Sequence, residues 1–88
     1  EAREALATSA RLDKANPSVL RDLALAEARM GNEGDAAFAT AERFVIEGKT
    51  PDAARNAIRA ADLLPTGSPG WRRAQDLITM TRRVKRSN

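Results

Sequence analysis

Eighty-eight residues fit one small domain, or a piece of a larger helical array, with room for a modest core. The chain has no histidine and no cysteine, which removes the usual general base, the usual metal ligands, the reactive thiol and any disulfide. Its net charge of +3 is uneven: residues 72–88 hold six basic and one acidic side chain, whereas residues 1–71 hold nine basic and eleven acidic. A catalytic or metal site within these residues is therefore not expected, and the basic character belongs to the C-terminal end. Eighteen alanines against two Phe, one Trp and no Tyr favour helix throughout.

The chain begins at Glu1, so it is expected to be a fragment of a longer protein. No stretch has the apolar run of a signal peptide or a membrane span, and no span is expected. Residues 1–14 carry Ala2, Ala5, Leu6, Ala10 and Leu12 at helical spacing, which predicts a first helix. Asn16-Pro17 then reads as a cap followed by a proline at the first helical position, where its missing N–H costs nothing. The second helix covers 17–30, with Val19, Leu20, Leu23, Ala24 and Met30 on its apolar face, and Gly31 ends it. Asn32 is expected to cap a third helix over 33–47, which carries Phe38, Ala41, Phe44, Val45 and Ile46 and closes at Gly48. Thr50-Pro51-Asp52 repeats the cap-then-proline device and opens a fourth helix over 51–64, with Ala53, Ala57, Ile58, Ala60, Ala61 and Leu64 as its buried stripe. After the breaker Pro65-Thr66-Gly67, Ser68-Pro69 caps a fifth helix over 69–84, with Trp71, Ala74, Leu77, Ile78 and Val84 facing inward.

The string Gly31-Asn32-Glu33-Gly34-Asp35-Ala36-Ala37 recurs seventeen residues later as Gly48-Lys49-Thr50-Pro51-Asp52-Ala53-Ala54. The pair Asn16-Pro17 recurs as Thr50-Pro51 after thirty-four. One helix with its turn thus takes seventeen residues, and the helices are expected to stack as antiparallel neighbours. Counted from Gly34, Ala41, Phe44, Gly48, Ala53, Ala57, Ala60 and Pro65 fall at positions 8, 11, 15, 20, 24, 27 and 32. This skeleton resembles the tetratricopeptide repeat, a helical hairpin of thirty-four residues. The expected fold is all-α, an antiparallel helical-hairpin array (a tetratricopeptide-like α-solenoid) of about five helices in one domain over 1–88. Helices 17–30 and 33–47 both satisfy a first-helix pattern, so the array is expected to be irregular.

Gly31 to Phe44, followed by Gly48 and Ala53, resembles the C-terminal tetratricopeptide segment of bacterial periplasmic zinc metallopeptidases of the β-barrel-assembly-enhancing type. Leu64 to Asp76 is similar to the final hairpin of that tail. The resemblance implies a periplasmic, non-catalytic module attached to a protease and engaging outer-membrane proteins or their assembly machinery. Zinc would belong to the parent's catalytic domain, since the His-Glu-x-x-His motif of that family is absent here. The repeat tails of cytochrome c biogenesis factors are also similar, through the Pro-rich turn Leu64 to Pro69. A different role, a structural lid packed on the parent's protease domain, suits the same composition.

A stacked array presents a groove to a protein or peptide ligand. If residues 34–47 line it, Asp35, Phe38, Glu42 and Ile46 point to the ligand, and Arg72, Arg73 and Asp76 join them if the last helix continues the face. The alternative is that Phe38 and Ile46 are core and the charges are solvated. Trp71 and Phe44 are expected to pack rather than bind. Glu42 and Glu47, or Asp62 and Asp76, read as surface acids. The run Arg82-Arg83-Val84-Lys85-Arg86 lacks interleaved aromatics and reads as a solvated helix end, so nucleic acid is not an expected partner. An apolar face left at one end of the stack gives a possible dimer contact.

Overall fold

The computed structural model of the protein describes residues 16–87, and the helix expected over 1–14 lies outside them. The described residues form four helices and no strand. They are α1 (Pro17–Arg29), α2 (Glu33–Ile46), α3 (Thr50–Leu63) and α4 (Pro69–Ser87). None of them is long and apolar enough to cross a membrane.

The helix ends follow local chemistry. Asn16 is extended (φ −115°, ψ 159°), and its side chain accepts the Val19 N–H at 2.9 Å, with Pro17 next to it. Ser68 does the same for α4, where its Oγ accepts the Trp71 N–H at 3.2 Å. Gly31 (φ 82°) and Gly48 (φ 76°) terminate α1 and α2 in the left-handed region, where a side chain would clash with its own backbone. Asn32 N–H donates to Glu27 O at 2.8 Å and Gly31 N–H to Ala28 O at 3.1 Å. Seventeen residues on, Lys49 N–H donates to Phe44 O and Gly48 N–H to Val45 O at the same two distances. The two turns are copies of one Schellman closure.

That shared geometry overturns two expected caps. Asn32 (φ −89°, ψ 68°) and Lys49 (φ −91°, ψ 70°) occupy the cap positions, and neither makes a side-chain cap hydrogen bond. The left-handed glycine hands the chain on with ψ near 70° rather than in the extended conformation a capping side chain needs. Asn32 Nδ2 instead donates to Glu27 Oε2 at 3.4 Å, and Thr50 is the first residue of α3 rather than its cap.

Three-residue turns fold α1 back along α2 and α2 back along α3, a five-residue turn over 64–68 does the same for α3 and α4, and contacts run α1 to α2, α2 to α3 and α3 to α4, with α4 only brushing α2. The core lies among α2, α3 and α4. It consists of Ala37, Phe38 and Ala41, then Ala57 and Ala60, then Ala74, Leu77 and Ile78. Ala41, Ala53, Ala57, Ala60 and Ala74 have no exposed surface at all. With only methyl groups at the crossings, the helices pack near the short end of the usual separation of about 8–10 Å.

Several expected burials do not hold. In α1 only Leu20 is buried, while Val19, Leu23 and the adjoining Met30 are exposed, because α2 is the one described helix that packs along α1. Ile58 is exposed on the side of α3 away from the core. Trp71 and Phe44 are half-buried. The guanidinium of Arg43 lies 4.6 Å, and the ammonium of Lys49 5.7 Å, from the centre of the Phe44 ring, a cation–π arrangement.

Leu64 locks the far end of the stack. A Cβ at residue 34 would lie 2.8 Å from Leu64 Cγ and 2.9 Å from Cδ2, and one at residue 70 would lie 3.2 Å from Cδ1. The leucine is thus seated between a glycine of α2 and a glycine of α4. Gly34→Ala is expected to destabilise the fold by about 1–3 kcal/mol through overpacking, despite a helix-propensity gain of about 1 kcal/mol. Urea unfolding of Gly34→Ala, Leu64→Ala and the double variant checks this. The double variant should lose markedly less stability than the two single losses combined.

Candidate functional site

Helix α2 has two working faces. At about 100° per residue, Phe38, Ala41 and Val45 share the side that meets α3 and α4. Glu33, Ala36, Ala37, Thr40 and Arg43 share another, and this second face is the floor of an open trough of about 420 Å³. Arg21, Ala24, Leu25 and Ala28 of α1 form one wall at i, i+3, i+4 and i+7, and Asn56 and Arg59 of α3 form the other. The trough exists because α1 and α3 each pack along α2 while neither packs along the other. Methyl-sized residues on the floor keep it open.

The polar groups in the trough are partly committed. Thr40 Oγ–H donates to the Ala36 carbonyl at 3.0 Å, so the hydroxyl is spent on its own helix. Asn56 Nδ2 donates to the Asp52 carbonyl at 2.9 Å, which leaves the Asn56 amide oxygen as an acceptor facing no competing partner within that bond. Three arginines line the space against one glutamate, Glu33. The ion pairs formed among the described residues, Lys49 with Glu47 and Arg55 with Asp52, use none of those arginines. Arg21 and Arg59 are exposed, and Arg43 is half-buried beside Phe44. From Glu33 to Arg43 the floor rises about 15 Å, the length of four or five extended residues.

The residues expected from the sequence to face a ligand are not these. Phe38 is a member of the core and Glu42 is fully buried, so neither meets a ligand at an open surface. Glu42 is not a surface acid either. Asp35 is exposed in the first turn of α2 and Ile46 is half-buried in its last. All four lie on the part of α2 turned away from the trough, by roughly half a turn from Thr40. Arg72 is exposed and Arg73 half-buried on α4, which contributes nothing to the trough lining. The two sets are therefore not brought together in one groove.

Alanine is the reason the sequence does not tell these faces apart. Ala36 is half-buried on the trough face and Ala37 is buried at its edge, while Ala39 and Ala41 are buried elsewhere on the same helix, so apolar periodicity does not separate the faces. The available signal was polar: Glu33, Thr40 and Arg43 share one side of α2 at intervals of seven and three. No family model, curated protein or solved structure matches the chain, so the site rests on its own geometry.

The two faces of α2 should respond oppositely to added volume. Ala36→Leu, into open space, is expected to change stability by no more than about 0.5 kcal/mol. Ala41→Leu, into a site with no exposed surface, is expected to cost about 1–3 kcal/mol. Melting temperatures of the two variants decide it.

Proposed function

We propose that this chain is a protein-interaction module that holds a short extended segment of another protein in the trough over α2. The observation that carries the reading is the trough itself, an open cleft of about 420 Å³ walled by α1 and α3, with Ala36 and Ala37 at the middle of its α2 floor. Such a floor lets a peptide backbone approach closely, while the polar walls fix its orientation. The absence of histidine and cysteine from the whole sequence argues for binding rather than catalysis by these residues.

The twin closures at Gly31 and Gly48 support reading the stack as a tetratricopeptide-like array. With the resemblance of Gly31 to Phe44 and Leu64 to Asp76, they also support a finer proposal. In it the chain is the C-terminal part of a periplasmic zinc metallopeptidase, without zinc or catalytic residues of its own, and it presents client or assembly proteins to the protease. A second reading is favoured by the exposed Val19 and Leu23 of α1 and the adjoining Met30: a lid whose α1 packs on the parent's protease domain.

Selection of short peptides from a random library on the immobilised chain tests the trough. The enriched peptides should compete with one another for a single site. Ala36→Trp, which fills the floor, should abolish their binding while helicity by circular dichroism is retained. Peptide binding indifferent to Ala36→Trp, but lost on Val19→Asp with Met30→Asp, would instead place the working surface on α1.

A further inference from the structure

We propose that the segment held in the trough is acidic, its carboxylates set against Arg21, Arg43 and Arg59. This rests on the trough being the binding site and adds the charge of its occupant. Each arginine comes from a different helix, so both walls and the floor bring a basic residue to one space, the Arg43 guanidinium also lying 4.6 Å from the centre of the Phe44 ring. None is engaged by the ion pairs among the described residues. The single acid of the lining, Glu33, stands at the start of α2, whereas Arg43 stands near its end. The three-residue turn after α1 runs that helix back along α2, which puts Arg21 toward the Arg43 end. The trough is therefore polarised, basic over most of its length and acidic at one extremity. A ligand carboxylate there gains a planar fork of N–H donors that matches its two oxygens. Asn56, on the same wall as Arg59, is placed to accept a backbone N–H from an extended chain. No aromatic side chain lines the space, so it offers no platform for stacked bases, and a peptide is favoured over a nucleic acid.

Fluorescence anisotropy on the 88-residue chain tests the charge. The probes are a labelled octapeptide of alternating glutamate and alanine and its glutamine–alanine counterpart. The acidic peptide is expected to bind about tenfold more tightly, and Arg21→Gln and Arg59→Gln are each expected to weaken it about threefold, as for exposed ion pairs. Arg82→Gln, outside the trough, should leave its affinity unchanged, and Ala36→Trp should abolish it. Equal binding of the two peptides, both lost on Ala36→Trp, would overturn the acidic occupant and leave the trough standing. Binding of the acidic peptide that survives Ala36→Trp would remove the trough itself. No binding of the acidic peptide at low salt, or its displacement by a single-stranded oligonucleotide at lower concentration than by unlabelled peptide, would also overturn the proposal.

Discussion

Where α2, α3 and α4 meet, the contacts are made by methyl groups: Ala41, Ala57, Ala60 and Ala74 are wholly buried. Close approach is what these residues supply, because a buried methyl contributes little hydrophobic free energy, about 0.8 kcal/mol per carbon. Most of the apolar area is buried by a few larger side chains, Phe38, Leu77 and Ile78, whose fit depends on that approach. Leu64, seated between Gly34 and Gly70, applies the same logic at the stack's end: two positions without a side chain accommodate one that has a branched one. A domain held in this way is sensitive to added volume on the core side of α2 and tolerant of it on the trough side.

The trough follows from the turns. Two Schellman closures seventeen residues apart, with the same hydrogen-bond distances and the same backbone angles at the residue after the glycine, deliver α1 and α3 to opposite sides of α2. A middle helix flanked by two others that do not pack on each other leaves its remaining face uncovered. On that face alanines and a threonine bonded to its own helix make a shallow floor, and longer polar side chains rise at the walls. Local backbone chemistry, repeated once, thus produces the cleft.

The residues of α2 show how far the sequence could be read. Its start and end were legible to within one residue, and so was the identity of Phe38 and Ala41 as candidates for packing. Which of its faces is open was not. Glu42 reads as exposed because a carboxylate ordinarily is, yet the structure buries it completely. Asp35, Phe38, Glu42 and Ile46 follow one another at helical spacing, and so do Glu33, Ala36, Thr40 and Arg43. Only the positions of the neighbouring helices choose between the two.

What the sequence by itself determined is the set of local outcomes: helices rich in alanine, the cap at Asn16 and the cap at Ser68, the left-handed stops at Gly31 and Gly48, and the spacing of seventeen that repeats the turn. These depend on residues within a few positions of one another, and short-range sterics and hydrogen bonding suffice for them. Tertiary structure alone decided which side of α2 is core and which is open, that α4 contributes nothing to the cleft, and that Val19, Leu23 and Met30 stay exposed. Alanine is small enough to be buried or exposed at nearly the same free energy. A helix built largely of it carries no decisive instruction about its orientation until its neighbours are in place.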